Sequence, residues 1–244
     1  MSEQIKNSAD ETSTARTQRV YERFKRSQRW EHGLLILSFT VLLLTGLPQR
    51  YRTTTWSQQI LATPEQVAQI QTIHHIAAVI LILEVLYHLG MAIYHMARRR
   101  LSADMFVTGR DVRDAAQMVG YLLFLRKEKP KFGKYTFEEK ATYWFIFFGV
   151  GIMVISGIII WFPEIITRFL PGSVVPAAKL AHSTEAVVAG IFIIIWHFYH
   201  VHLQRLNLTI FTGNINEEDL KKHHALEYEQ LTGEKTGQSE GGHP

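Results

Sequence analysis

The sequence predicts an all-α membrane protein, a bundle of four transmembrane helices with the N- and C-termini cytoplasmic. Three observations predict it. Four long apolar runs are separated by polar stretches, a pattern that the overall 47% hydrophobic content and near-zero mean hydropathy conceal. Each run approaches or exceeds the roughly 20 residues a helix needs to cross a bilayer. All but four of the 26 Lys and Arg lie in the N-terminal segment, the loop between the second and third runs, and the C-terminal segment. The exceptions, Arg50, Arg52, Arg168 and Lys179, sit in the two remaining loops. The positive-inside rule therefore places both ends and the middle loop in the cytoplasm.

The first 20 residues are polar, without the apolar core of a signal peptide, and are expected to form a disordered cytoplasmic tail. The four-helix domain is expected over residues 21–211, opening on the basic collar YERFKRSQR before the first span at 30–48. The second span is expected at 73–97 and the third at 141–163. The fourth, at 180–203, reads LAHSTEAVVAGIFIIIWHFYHVHL. A short cytoplasmic helix is expected around Asp111–Leu125. Residues 212–244 are expected as a cytoplasmic tail with a surface helix at Glu217–Leu231. Spans one and three end alike, in LTGLP and SGIIIWFP, which suggests two similar helical hairpins. Tyr51, Trp56 and Trp161 fit an outer aromatic belt.

The net charge of +4 follows this topology, so membrane lipid is an expected contact and nucleic acid is not. With no cysteine, the chain holds no disulfide, thiolate–metal site or iron–sulfur cluster of its own.

Its histidines carry the chemistry. There are twelve, and nine lie in or beside apolar runs, where an imidazole needs a reason to be. His182 and His197 are separated by roughly 22 Å of helix and about 60° around its axis, one near each side of the membrane. Opposite them, the outer level offers His74 or His75. The inner level offers His32 or His88 facing His197 or His200. Histidines paired across helices at two heights suit two bis-histidine b haems, closed to small ligands and fitted for electron transfer. His75, His95 and His202 read as interfacial. Glu84, in the middle of span two, is either a protonated hydrogen-bonding group or a proton carrier for a quinone. Gly46, Gly149, Gly151, Gly157 and Gly190 leave room for a porphyrin or for close helix approach. Two other readings fit the residues, a stand-alone b-type electron carrier and a haem-free histidine-rich transporter.

The segments QRWEH, TIHHIAAV, FGKYTFEEKATYW, SGIIIWFP, LAH…WHFYH and LKKHHALEYE resemble the gamma (cytochrome b) subunit of membrane-bound formate dehydrogenase. More broadly they resemble the di-haem, cytochrome b561-like subunits of respiratory oxidoreductases, hydrogenases included. The resemblance covers about residues 20–230. It implies His74 and His182 as ligands of an outer haem, and His32 with the second histidine of span four, His197, as ligands of an inner haem. His88 and His200 are the alternates. It also implies a menaquinone or ubiquinone reacting near the inner haem beside Gly133, Lys134 and Tyr135. An iron–sulfur subunit, with a molybdenum or tungsten catalytic subunit beyond it, would dock on the outer, periplasmic face. The chain would then be the quinone-reactive, electron-transfer subunit of a complex in the cytoplasmic (inner) membrane of a bacterium or archaeon, not an enzyme alone. Two positions depart from the family pattern. The family spaces its two ligands on the last span by fourteen residues, which falls here on Trp196, with His197 next. The family's Asn after Gly-Lys-Tyr is Thr136. His88 and the HFYHVH cluster also resemble the broader cytochrome b relatives found with multihaem cytochromes c, while the likeness to hydrogenase subunits implies a NiFe catalytic subunit as the alternative partner.

Overall fold

The computed structural model describes residues 19–99, 103–128, 130–203 and 206–233. The expected disordered stretches 1–18 and 234–244 lie outside the described residues.

Strand β1 (Val20–Glu22) leads into α1 (Arg26–Arg50), the first span. A short helix, α2 (Thr55–Ile60), crosses the outer loop to α3 (Pro64–Ala97). The helix α4 (Gly109–Leu122), in the loop between the second and third spans, precedes α5 (Phe137–Trp161). The short α6 (Pro163–Ile166) leads to α7 (Val174–Phe192), which continues through π-helical turns at Ile193–His197 and Tyr199–Leu203. Then come α8 (Thr209–Thr212), β2 (Asn214–Asn216), α9 (Glu217–His223) and α10 (Ala225–Thr232). Among the described residues four helices are long and apolar enough to cross a membrane: α1, α3, α5 and Val174–His197. The protein is therefore an all-α, multi-pass membrane protein.

Two helices begin earlier than hydropathy alone suggests, because capping boxes start them. Thr63 accepts from the Gln66 N–H while Gln66 accepts from the Ala62 and Thr63 N–H groups, and Pro64 follows as the first helical residue. Thr136 and Glu139 repeat the device at α5. α1 packs along α3 and α5 along α7, giving two hairpins that meet mainly through α1 against α7. Only 6–11% of each span's most apolar window is buried against protein, so most of its aliphatic surface is left for lipid.

The region joining the chain's two ends, expected to be a tail, is folded tightly. β1 pairs antiparallel with β2, Val20 opposite Asn216 and Glu22 opposite Asn214, so Val20 belongs to this fold. Ile215, Leu220 and Tyr228 form a buried cluster with Tyr21 against it. The expected single surface helix is two, broken at the fully buried His224, whose Nδ1–H donates to the Gly133 carbonyl at 2.9 Å. Arg23 ties the parts together. Its guanidinium donates to the Lys134 carbonyl (2.7 Å) and to Glu227 (3.0 Å), with Glu139 3.7 Å away. Its side chain is only 2% exposed, so Arg23→Ala leaves a buried gap, the Lys134 carbonyl without its donor and the partly buried Glu227 without its cation. The expected cost is about 3 kcal/mol, seen as faster proteolysis of residues 206–233 in membranes.

α4 is pinned to the start of α5 by Asp111, whose carboxylate meets Lys140 at 2.8 Å. Burial alone would push the Asp111 carboxyl up, but hydrogen bonds from Lys140 and Thr108 outweigh it and hold it below the ordinary value. The pin is present above the usual aspartate range and is lost only as pH falls through the lowered pKa.

Candidate metal centres between the spans

The outer pair stands on α3 and α7. The His74 and His182 ring centres are 6.4 Å apart, their planes crossed at 66°. Each imidazole is held by a hydroxyl on the helix it packs against. The Thr45 hydroxyl donates to the Val41 carbonyl at 2.7 Å, so its oxygen accepts from His74 Nδ1–H at 2.9 Å. Ser156 does the same for His182: it donates to Ile152 at 2.6 Å and lies 3.1 Å from Nδ1. The Met153 carbonyl, 3.2 Å from His182 Nδ1, can only accept, which assigns the proton to Nδ1 by its surroundings. Nε2 keeps its lone pair in each ring, the tautomer a metal ligand requires.

A glycine follows each hydroxyl residue and faces the ring, where a Cβ would touch His74 at Gly46 and press on His182 at Gly157. A Cβ at Gly46 would come within 3.4 Å of His74 Cε1, and one at Gly157 within 3.2 Å of His182 Cε1. The Thr-Gly and Ser-Gly pairs within LTGLP and SGIIIWFP are thus two copies of one histidine cradle. Gly149 instead leaves room for Glu185, whose Oε1 would lie 2.6 Å from a Cβ there, and Gly190 faces Leu43. Removing the cradle hydroxyls by Thr45→Val or Ser156→Ala is expected to weaken metal retention at the outer pair by roughly 10–100-fold. Cofactor loss on dilution in detergent checks this. His75 turns away and stacks on Trp161 at 4.1 Å, as an interfacial residue does.

The inner pair stands on α1 and the end of the fourth span. His32 and His197 have ring centres 6.3 Å apart, and Phe211 meets His32 edge-on at 5.9 Å. His197 closes the first π-helical turn. A π turn takes in one extra residue and sets back every later position of the helix by about 100°. Fifteen residues of plain α-helix would leave His197 about 60° ahead of His182. With the π turn it sits about 40° behind, where fourteen α-helical residues would put it. The wide turn thus absorbs the extra residue in this span. Trp196 is left to donate its indole N–H to Thr142 at 3.1 Å.

The two separations bear on which group the pairs fit. A metal midway between two imidazoles, about 2 Å from each nitrogen, sets the ring centres roughly 6 Å apart. Both pairs meet that span. Among the described residues no three or more His, Asp or Glu side chains converge. Each pair therefore offers two imidazole nitrogens and would suit a metal whose other positions are filled by a macrocycle, as in haem.

The remaining candidates are placed differently. His88 is engaged at both nitrogens, Nδ1 with Glu31 at 2.9 Å and Nε2 with the Tyr143 hydroxyl at 3.1 Å. Glu84 lies one turn before it, with Oε2 buried and without a hydrogen-bond partner among the described residues. The His200 backbone is in the last π-helical stretch; its side chain, like that of His202, lies outside the described residues. Gly133, Lys134 and Tyr135 sit just before α5, the first two carbonyls already taken by His224 and Arg23. Burial pushes the Tyr135 phenol up, so it stays protonated at neutral pH. Sequence reasoning missed Thr45, Ser156, Glu31 and Tyr143. The first two were marked by the shared span endings, and Glu31 by its place beside His32; Tyr143 carries no local signal.

Comparison with known proteins points the same way. A family model described as prokaryotic cytochrome b561 matches residues 12–109 and 109–212. The chain is 24% identical to the formate dehydrogenase cytochrome b556(fdo) subunit of Escherichia coli (strain K12), over 86% of this chain and 92% of that one. It is 22% identical to the nitrate-inducible formate dehydrogenase cytochrome b556(Fdn) subunit of the same strain, over 82% and 86%. The formate dehydrogenase cytochrome b556 subunit of Haemophilus influenzae is also 22% identical, over 85% and 82%.

Proposed function

The chain belongs to the prokaryotic cytochrome b561 family, membrane cytochromes b, and on that premise we propose that it is the di-haem subunit carrying electrons between an outer-face partner and a quinone. The observation that carries this reading is the pair of equal imidazole separations, 6.4 Å and 6.3 Å, at opposite membrane levels. His74 and His182 would hold one b haem, His32 and His197 the other. A haem held there would supply reversible one-electron transfer.

This chain's residues do the rest. Thr45 and Ser156 fix the ligand tautomers and ring directions. The four spans exclude water along an insulating path. At the cytoplasmic level His88, held between Glu31 and Tyr143, and Glu84 are placed to hold protons that a quinone takes up or gives up. With both nitrogens occupied, His88 is better suited to that work than to metal ligation. The names of the relatives support a formate dehydrogenase-like setting. There an iron–sulfur subunit, serving a molybdenum or tungsten catalytic subunit, would dock on the periplasmic face of a bacterial or archaeal inner membrane.

The test is a reduced-minus-oxidised spectrum of the purified membrane complex with haem quantified per chain. Two b haems, reoxidised by added menaquinone or ubiquinone analogue, are expected. One haem or none overturns the di-haem reading, and haem unresponsive to either quinone overturns the assigned acceptor.

A further inference from the structure

A cleft of about 490 Å³ opens between α1 and α3 in the cytoplasmic half of the bundle. That is within the roughly 300–1,000 Å³ of small-molecule sites. Its walls are mainly apolar, with Trp30 and Leu34 on one side and Ile80 and Leu83 on the other. Trp30 is 80% exposed and Leu83 61%, so the mouth faces the lipid. A plain seam between lipid-facing helices is filled by aliphatic side chains, but this one also carries two carboxyl groups, Glu31 and Glu84.

The two carboxyls are not alike. Glu31 accepts from His88, whose other nitrogen meets Tyr143, so Glu31 and Tyr143 fix the His88 ring. Glu84 has no such anchor, and its Oε2 is buried with no hydrogen-bond partner among the described residues. The Glu84 carboxyl lines an otherwise apolar cleft, so a ligand entering from the lipid with a hydrogen-bonding oxygen would give it the kind of partner that Glu31 has in His88. The cleft also lies level with the inner histidine pair, since Glu31 immediately precedes His32.

We propose that this cleft holds the ring of a benzoquinone or naphthoquinone arriving from the bilayer, with one ring oxygen hydrogen-bonded to Glu84. The inference rests on the quinone reading above and locates it. Glu84 serves both forms of the ring: a protonated carboxyl donates to the oxidised oxygen, and the carboxylate accepts from the reduced hydroxyl. His88 and Tyr143 are positioning residues behind it. Charge argues against the other membrane occupants. Two carboxyls repel an anionic lipid headgroup, and an acyl chain offers the Glu84 carboxyl no partner. The site is distinct from the Gly133–Tyr135 segment, whose first two carbonyls are already committed.

The experiment uses the intact membrane complex and a short-chain azidoquinone, with labelled peptides mapped by mass spectrometry. Label is expected within residues 27–34 and 80–87, suppressed by excess decylquinone and abolished by Leu83→Trp, which fills the mouth. Glu84→Gln is expected to raise the quinone KM about tenfold with haem content unchanged. Label confined to residues 130–137 would overturn the cleft while leaving the quinone reading intact. No specific label, together with haem that quinone does not reoxidise, would overturn both. A photo-crosslink from position 83 to a second polypeptide, without quinone label, would make the cleft a protein interface and also overturn the proposal.

Discussion

His182→Ala is expected to remove one of the two proposed haems and to bring the proposed quinone-linked electron transfer down to background, while the remaining haem keeps its spectrum. The ring is held from behind by Ser156 and Met153 and delivered to His74 across 6.4 Å. The nearest spare imidazole, His75, is stacked on Trp161. His75→Ala is the matched control and should keep both haems. Haem per chain, measured on the purified complex, decides the matter. A His182→Ala protein that retains both haems would sink the assignment of the outer pair, whatever its activity.

The spans were legible because membrane insertion leaves a coarse signature. Some twenty apolar residues and a skewed distribution of Lys and Arg do not depend on tertiary detail. The span starts were less so. Hydropathy placed the third span at Ala141, but the Thr136–Glu139 capping box starts α5 a turn earlier, and Thr63–Gln66 extends α3 further still. These signals are present in the sequence, in TPEQ and TFEE, and they outweigh hydropathy where the chain leaves the lipid.

The candidate ligands were legible because a histidine in an apolar run is rare enough to stand out. Their supports were not. Ser156 reads as an ordinary small residue until His182 is seen beside it, and the pairing joins residues 26 positions apart. The cytoplasmic clasp was invisible for a similar reason. Val20–Glu22 and Asn214–Asn216 are three-residue strands, too short for any alternation to declare them, and their pairing closes nearly the whole chain. The π turn is a third such case. IIIWH is composed like any membrane helix, and the fifteen-residue spacing acquires meaning only once His32 is known to face His197.

That turn yields the second large effect. Deleting Ile194 alone should let Ile193–His197 relax from π to α geometry, restoring the fourteen-residue spacing without changing the direction His197 faces. The inner haem should therefore stay, with b haem content and inner-haem potential close to those of the parent. Deleting Ile193 and Ile194 together leaves no wide turn to absorb the second loss, so His197 swings about 100° away from His32 and the inner haem should be lost. His197→Ala sets the scale for that loss. The comparison separates the direction of the imidazole from its mere presence, since both deletion variants keep every histidine. If one deletion already removes the haem, the π turn is not what aims His197. If two deletions leave the haem bound, another imidazole holds it, and the inner pair must be reassigned.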